Sequence, residues 1–262
     1  MKCNTMGVAI ARWQRPFINR RKEDITMAQN EPMRLNKFLS DSGFCSRREA
    51  DRLVEAGKVT VDGVIAVLGQ KITLDQKIVV DGKPLQREEE RILIAFNKPR
   101  GIVCTTSKQE KDNIVDYLNY GKRIYPIGRL DKDSEGLILL TNKGDIVDKI
   151  LRGSNYHEKE YVVTVNKKIT KEFMEGMQKG VPILDTVTRP CTLEVMNDKT
   201  FRIIISQGLN RQIRRMCEYF GYRVLRLKRV RIMNIQLNHL KTGTYRNITA
   251  EEWKQLNKLL NK

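Results

Sequence analysis

The chain has 262 residues, a length that allows either two modest domains or one large domain. Hydrophobic residues make up 40% of it, which is enough for a packed core without disulfide bridges. Lysine and arginine number 49 against 31 aspartate and glutamate, so the formal net charge is +18. Such an excess favours a polyanionic partner, nucleic acid first of all, with an ordinary solvated basic surface as the alternative.

Composition also disfavours two classes of protein. The five cysteines form no CxxC pair and only two histidines accompany them, so no zinc-ligand spacing is present. No apolar run reaches about 18 residues, the length at which a transmembrane helix is expected. We therefore expect neither a zinc site nor a membrane span.

The first 30 residues differ from the rest of the chain. They carry a basic excess and the apolar stretch Met6–Ala11, which lacks the flanking features of a signal peptide. We expect residues 1–30 to form a disordered extension, with Met27 as a candidate biological start. A basic arm that touches RNA is the alternative.

Residues 31–85 are predicted to form a small domain of two short helices packed on a few strands. Leu35, Phe38 and Leu39 have helical spacing, and Ser46 followed by Glu49 is typical of a capping box that opens a second helix. Alternating residues at 58–61 and 64–68 predict two strands joined by an Asp-Gly hairpin turn, and 78–80 predicts a third.

Residues 86–91 are highly charged without apolar spacing, which predicts a linker, and residues 92–262 are predicted to form a second domain. Strands outnumber helices there and do not alternate with them, which favours an α+β fold with a mixed sheet. The expected strands lie at 92–96, 137–141, 160–165, 191–195, 201–206, 223–227 and 232–237, and the expected helices at 113–119, 145–152, 171–178, 210–220 and 250–260.

Basic side chains on the two N-terminal helices predict a phosphate-binding face, because a helix N-terminus among them already favours an anion. An ordinary solvated helix pair is the alternative, since acidic residues dilute the charge. The order Arg34-Leu-Asn-Lys-Phe-Leu, Ser46-Arg-Arg-Glu-Ala and Gly57-Lys-Val-Thr-Val-Asp-Gly resembles the S4 (αL-type) RNA-binding domain. The candidate RNA contacts on this face are Arg34, Lys37, Ser46, Arg47, Arg48 and Lys58.

Two further segments are candidates for chemistry. The stretch 128–137 is a polar loop between apolar segments, for which a plain turn is the alternative. The stretch 201–231 holds nine basic residues and one acid, Glu218, and its predicted helix carries an apolar stripe. Arg214 lies near the border of that stripe, where a buried arginine needs an anionic partner. Tyr161 opens a predicted strand, and a core aromatic is its ordinary interpretation.

Four motifs occur in order: Asn97-Lys-Pro-Arg-Gly, Gly128-Arg-Leu-Asp-Lys-Asp-Ser-Glu-Gly-Leu, Lys159-Glu-Tyr, and Gly208-Leu-Asn-Arg-Gln-Ile-Arg-Arg-Met. Together they resemble the RsuA-type pseudouridine synthases, and within them the RluF branch, which modifies large-subunit ribosomal RNA. With the S4 domain in front, the resemblance covers residues 34–260. It implies a catalytic domain with a mixed, mainly antiparallel sheet flanked by helices.

The resemblance also implies residue roles. Asp131 matches the essential aspartate, which attacks the nucleotide or removes a ribose proton. Arg214 matches its cationic partner, and Tyr161 matches the active-site tyrosine that stacks on uracil. Arg129 matches the position that fills the gap left by the flipped base. Asn210, Arg211, Gln212 and Arg215 are the expected RNA contacts of the last motif.

The reaction that the resemblance implies is an isomerisation without redox change, so neither a cofactor nor a metal is expected. Ser134, where many members have threonine, keeps the hydroxyl. The expected partner is RNA, foremost a stem-loop of 23S ribosomal RNA with a tRNA as a second candidate, bound by a cytoplasmic monomer. The alternatives are a ribosome-assembly protein that binds without turnover and a translation factor that uses its S4 domain to hold RNA.

Overall fold

The computed structural model describes residues 31–85, 90–107, 109–151 and 156–261. The extension predicted at residues 1–30 lies outside the described residues, and so does most of the linker predicted at 86–91.

The N-terminal unit contains two helices and two small sheets. A four-stranded antiparallel sheet has the order β3-β2-β5-β6, and β1 pairs with β4. Its elements are β1 (Met33–Arg34), α1 (Leu35–Asp41), α2 (Arg47–Glu55), β2 (Val59–Val61), β3 (Val64–Ile65), β4 (Lys71–Ile72), β5 (Ile78–Val80) and β6 (Lys83–Pro84).

The sequence signals for this unit correspond to local structure. Leu35 and Leu39 of α1 lie in its core, and the Ser46 hydroxyl accepts from the Glu49 amide at the start of α2. Asp62 and Gly63 both have positive φ, as the turn between β2 and β3 requires. The strand predicted at 64–68 is wrong in extent, because it ends at Ile65, after which the chain turns toward β4.

The C-terminal unit holds five of the seven helices in the described chain. Its elements are β7 (Leu93–Lys98), α3 (Ile114–Leu118), β8 (Tyr125–Pro126), β9 (Glu135–Thr141), α4 (Gly144–Leu151), β10 (Lys159–Val165), α5 (Lys171–Lys179), β11 (Pro182–Ile183), β12 (Thr186–Val187), β13 (Thr192–Asn197), β14 (Thr200–Ile205), α6 (Gln212–Tyr219), β15 (Val224–Ile232), β16 (Ile235–Gln236), β17 (Tyr245–Asn247) and α7 (Ala250–Leu260).

One nine-stranded sheet organises this unit. Its order is β13-β14-β10-β15-β9-β7-β17, with β16 beside β15 and β8 beside β9. The β9–β15 pair is parallel and the other pairs of the sheet are antiparallel. The prediction of an α+β fold with a mixed, mainly antiparallel sheet is therefore confirmed.

Both faces of the central strands are covered by apolar residues. Along β9, Ile138 and Leu140 pack into one cluster and Leu137 and Leu139 into the other. This alternation follows from the two-residue period of a strand, and burial on both faces explains the continuous apolar run in the sequence.

One strand prediction is wrong. Strands were expected at 223–227 and 232–237, but β15 runs unbroken from Val224 to Ile232, and only the short β16 follows it. Two arginines of this continuous strand are accommodated because Arg226 pairs with Glu135 of β9 and Arg231 pairs with Glu160 of β10.

The two units meet where α1 ends and α4 begins. Arg123 donates to the Ser40 carbonyl at 3.2 Å, and Lys143 donates to the Asp41 carbonyl at 3.2 Å. Cations are favourable at a helix C-terminus, where the last carbonyls lack partners within the helix. The Asp41 carboxylate lies in turn against the backbone amide of Gly144, at the start of α4.

Candidate active site

Asp131 lies on the loop between β8 and β9, and backbone bonds hold this loop in place. Leu130 is 6% exposed and anchors the loop in the core. The Ser134 amide donates to the Asp131 carbonyl at 3.0 Å, and the Gly101 amide donates to the Lys132 carbonyl at 2.7 Å. The Asp131 side chain, at 35% exposed, therefore projects from a fixed backbone.

The start of α6 faces this loop. Arg211, its N-cap residue, has a left-handed backbone with φ of 49°, which is uncommon for a residue with a side chain. Its guanidinium lies 3.8 Å from the Asp131 carboxylate and 3.4 Å from that of Asp133. The Asp131 loop and the start of α6, about 80 residues apart in the sequence, thus meet through ion pairs.

Arg214 is buried, and its contacts differ from the expected pairing with Asp131. Its Nη2 lies 3.2 Å from the Asp133 carboxylate and donates to the Ser134 hydroxyl at 3.0 Å, while Nη1 donates to the Val224 carbonyl at 3.4 Å. Burial lowers the pKa of Arg214, and the neighbouring Asp133 opposes that shift. The carboxylate that compensates Arg214 in this structure is Asp133.

Tyr161 lies beneath the loop and is 7% exposed. Its hydroxyl accepts from Arg229 of β15 at 3.4 Å, and Arg229 also donates to the Arg129 carbonyl at 3.5 Å. Arg229, which is 4% exposed, belongs to none of the four sequence motifs. A long basic side chain in the middle of a strand is a weak signal, because most such residues are solvated.

Lys98 lies beneath the same loop and is fully buried. Its ammonium donates to the Pro99 and Ile102 carbonyls at 2.8 Å each, which closes the turn of the Asn97-Lys-Pro-Arg-Gly motif. Burial lowers the pKa of Lys98. Cys104, which accepts from the Leu130 amide at 3.4 Å, has its pKa raised by burial.

An open cleft of about 740 Å³ lies above these groups. It is large enough for a nucleotide. Four of the six charged residues that line it are cationic, which suits a flipped nucleotide with its flanking phosphates. The charged residues that line it are Arg100, Arg129, Asp131, Lys132, Asp133 and Arg211.

The other expected RNA contacts of this unit differ in exposure. Arg129 and Asn210 are exposed and line the cleft, and Arg215 donates to the Asn210 carbonyl at 3.1 Å. Gln212 is 4% exposed, and its side-chain oxygen accepts from the Leu209 amide at 3.1 Å. In this structure Gln212 therefore holds the turn before α6 and does not face the cleft.

The six S4 residues lie on β1 (Arg34), on α1 (Lys37), at the start of α2 (Ser46, Arg47 and Arg48) and just before β2 (Lys58). Arg34, Arg48 and Lys58 are exposed, and Lys58 lies 3.4 Å from the Asp81 carboxylate. Lys37 is half-buried. Ser46 is engaged as the α2 cap, and Arg47 comes within 3.4 Å of a Cβ built on Gly144, at the junction of the two units.

Within the ranges that the structure describes, histidine, cysteine, aspartate and glutamate side chains form no group of three that could hold a metal ion. No helix in those same ranges is long and apolar enough to cross a membrane.

Comparison with known proteins gives consistent matches. The RNA pseudouridylate synthase family model matches residues 92–219 and the S4 domain model residues 33–78. Dual-specificity RNA pseudouridine synthase RluF of Escherichia coli K12 is 54% identical over 236 residues, 89% of this chain and 81% of that protein. Ribosomal large subunit pseudouridine synthase B of Bacillus subtilis 168 is 36% identical over 86% of this chain and 96% of that protein. A crystal structure of a pseudouridylate synthase aligns with a TM-score of 0.63 at 28% identity, over 87% of this chain and 99% of that chain.

Proposed function

The chain belongs to the RNA pseudouridylate synthases of the RsuA type, with an S4 domain in front, and from that membership we propose that Asp131 is its catalytic carboxylate. It is an enzyme that isomerises uridine to pseudouridine in RNA. The observation that carries the residue assignment is the position of Asp131 in a cationic cleft, on a backbone held by the Ser134 and Gly101 amides.

The isomerisation breaks the bond between C1′ of the ribose and N1 of uracil, and it joins C5 to C1′ with loss of the C5 proton. An ionised carboxylate beside the sugar serves either covalent attack or removal of a ribose proton. Arg211 and Arg214 supply the cations that orient the carboxylates at this site. Tyr161, beneath the same loop, is the proposed partner of the uracil ring.

Arg129 is the proposed residue that occupies the place of the flipped base. It is exposed at the rim of the cleft, two residues before Asp131. Extruding a base costs roughly a few kcal/mol, and a planar cation inserted in the stack offsets part of that cost. The S4 face then holds the flanking RNA by its phosphates.

The proposed substrate is a stem-loop of 23S ribosomal RNA, with a tRNA as a second substrate. Two relatives support this choice, since one is a dual-specificity RNA pseudouridine synthase and the other is a ribosomal large subunit pseudouridine synthase. A loop is favoured over a duplex because flipping is least costly where pairing is already weak. Action on ribosomal RNA places the proposed site of action in the bacterial cytoplasm, and we propose that a monomer suffices.

The test is pseudouridine mapping on ribosomal RNA and tRNA from cells that lack this gene. The cells are complemented with the wild type, with Asp131→Asn, or with Asp133→Asn as the matched control two residues away. We expect one or more pseudouridines to vanish in the deletion, to return fully with the wild type and partly with Asp133→Asn, and to stay absent with Asp131→Asn. Purified Asp131→Asn should bind target RNA within about tenfold of the wild type.

Two other outcomes would contradict these proposals. If Asp131→Asn restores the modification, the catalytic assignment is wrong. If no position changes in either RNA, the ribosomal and tRNA substrate proposals are wrong, and a ribosome-assembly protein that binds without turnover becomes the better hypothesis.

A further inference from the structure

Arg229 connects three parts of the site although it lines no part of the cleft itself. Its Nε donates to the Leu137 carbonyl of β9 at 2.6 Å, and its Nη1 reaches both the Arg129 carbonyl at 3.5 Å and the Tyr161 hydroxyl at 3.4 Å. The guanidinium carbon lies 5.9 Å from the centre of the Tyr161 ring. One side chain thus contacts β9, the backbone just before Asp131, and the proposed active-site tyrosine.

An irregularity in the strand pairing points Arg229 toward Tyr161. On β10, Glu160 and Tyr161 are consecutive and so point to opposite faces of the sheet. Their partners on β15 are Arg231 and Arg229, which are two residues apart, so the register shifts between them. Because of this bulge, Arg231 pairs with Glu160 while Arg229 reaches Tyr161. Bulges of this kind redirect side chains next to active sites.

Burying the charged side chain of Arg229 in these surroundings costs free energy. Its acceptors within the described chain are two carbonyls and a hydroxyl, all neutral, and its Nη2 is buried without a partner. The guanidinium of Arg229 thus lies at 4% exposure with no carboxylate among these acceptors. A buried cation without an anion destabilises a fold, and such departures from good packing are typical of functional sites.

We propose that Arg229 is a positioning residue for the isomerisation, which holds the Tyr161 hydroxyl and the backbone leading to Asp131 in one fixed arrangement. The proposal rests on the function proposed above for Asp131 and Tyr161. It assigns Arg229 no contact with the RNA. Its loss should therefore change the rate of the chemical step and leave RNA affinity unchanged.

The experiment measures single-turnover rates at saturating target RNA, and RNA affinity, for Arg229→Met. A displacement of about 1 Å at reacting groups costs roughly 100-fold in rate, so we expect a loss of that order with affinity within about threefold of the wild type. The matched control is Arg231→Met, which removes a largely buried arginine from the same strand but on the other face. It should stay within about threefold in both quantities, because Arg231 contacts Glu158 and Glu160 and not Tyr161.

Two further variants keep the test decisive. Arg229→Lys keeps the charge, and it replaces Arg229→Met if the latter does not fold. The same loss is expected because one ammonium is unable to reach Leu137, Arg129 and Tyr161 together. In a Tyr161→Phe background, Arg229→Met should lower the single-turnover rate distinctly less than in the wild type, since the hydroxyl that Arg229 positions is already absent.

Wild-type rates in both Arg229 variants would overturn the proposal, and so would an equal loss in Arg231→Met or a full effect in the Tyr161→Phe background. Asp131→Asn is measured alongside. If it turns over, the function proposed for the site fails. If it is inactive while the Arg229 variants react normally, only the role of Arg229 is wrong.

Discussion

Arg214 lies 3.2 Å from the carboxylate of Asp133, whereas the nearest ion-pair partner of Asp131 is Arg211, at 3.8 Å. The side chain of Arg214 is 7% exposed, so its charge depends on the acceptors that surround it. Asp133 supplies the anion, and the buried hydroxyl of Ser134 supplies a further acceptor. In this structure Asp131 is therefore the less tightly held of the two carboxylates, which agrees with the role proposed for it.

The bond between Ser134 and Arg214 gives the first prediction. Ser134→Ala removes a hydrogen bond to a buried, charged guanidinium, so the free energy of unfolding should fall by about 1–3 kcal/mol. Ser134→Thr keeps the hydroxyl and is the matched control. Urea denaturation of both variants measures the effect on stability. The single-turnover rate should also fall more in Ser134→Ala than in Ser134→Thr. Equal losses in the two variants would show that the hydroxyl does not matter.

The β9–β15 contact gives the second prediction. Gly136 has φ of 104°, and a Cβ built there would lie 2.2 Å from the backbone oxygen of Arg229. Gly136→Ala should therefore push the parallel strands apart and cost at least about 2 kcal/mol of stability, with activity lost alongside. Gly208→Ala is the control, because a Cβ there meets nothing within 4 Å. It should change stability by less than about 0.5 kcal/mol. Thermal unfolding of both variants decides the matter.

The sequence predicted the parts of this fold that depend on local patterning. The Asp62-Gly63 turn and the apolar run of β9 are examples, since turn chemistry and burial on two faces leave a direct signal. The motif order also predicted that the Asp131 loop and the start of α6 belong to one site. The structure brings them within ion-pair distance through Arg211.

What the sequence did not reveal depends on contacts between distant segments. A register shift decides that Arg229 faces Tyr161, and no spacing within β15 encodes it. Likewise, the Gln212 side chain turns back to the Leu209 amide, so its place in a basic motif suggested an RNA contact that its burial does not favour. Two arginines of β15 likewise pair with glutamates of neighbouring strands that are distant in the sequence.

The proposed S4 face gives the third prediction. Arg48 is exposed on α2, and its reversal, Arg48→Glu, should weaken RNA binding. If Arg48 contacts one phosphate, the slope of log affinity against log salt should also fall by about one. Arg52→Glu changes the same charge on the same helix, in its last turn, where Arg52 pairs with Glu49. It should have the smaller effect. If Arg48→Glu and Arg52→Glu weaken RNA binding equally at all salt concentrations, Arg48 acts through the overall charge of the domain and not through a phosphate contact.

The fourth prediction concerns pH and the junction between the two units. Burial raises the pKa of Asp41, against the opposing effects of Lys37, Arg47 and the Gly144 amide. A raised pKa in the folded state means that protonation favours folding. The stability contributed by this group is thus fully present below about pH 4 and is lost as the pH rises through the raised pKa.

Asp41→Asn removes this dependence while keeping the shape of the side chain. Relative to that variant, the wild type should lose thermal stability between pH 4 and neutrality, so the variant should be the more stable protein at pH 7. Asp75→Asn is the control for which the opposite pH dependence of stability is expected, because the Thr73 hydroxyl lowers the pKa of Asp75. Relative to Asp75→Asn, the wild type should gain stability as the pH rises to about 4, and this gain should stay constant at higher pH. Melting temperatures of the three proteins from about pH 2 to neutrality decide the question, and a wild type that gains stability relative to Asp41→Asn as the pH rises contradicts the prediction.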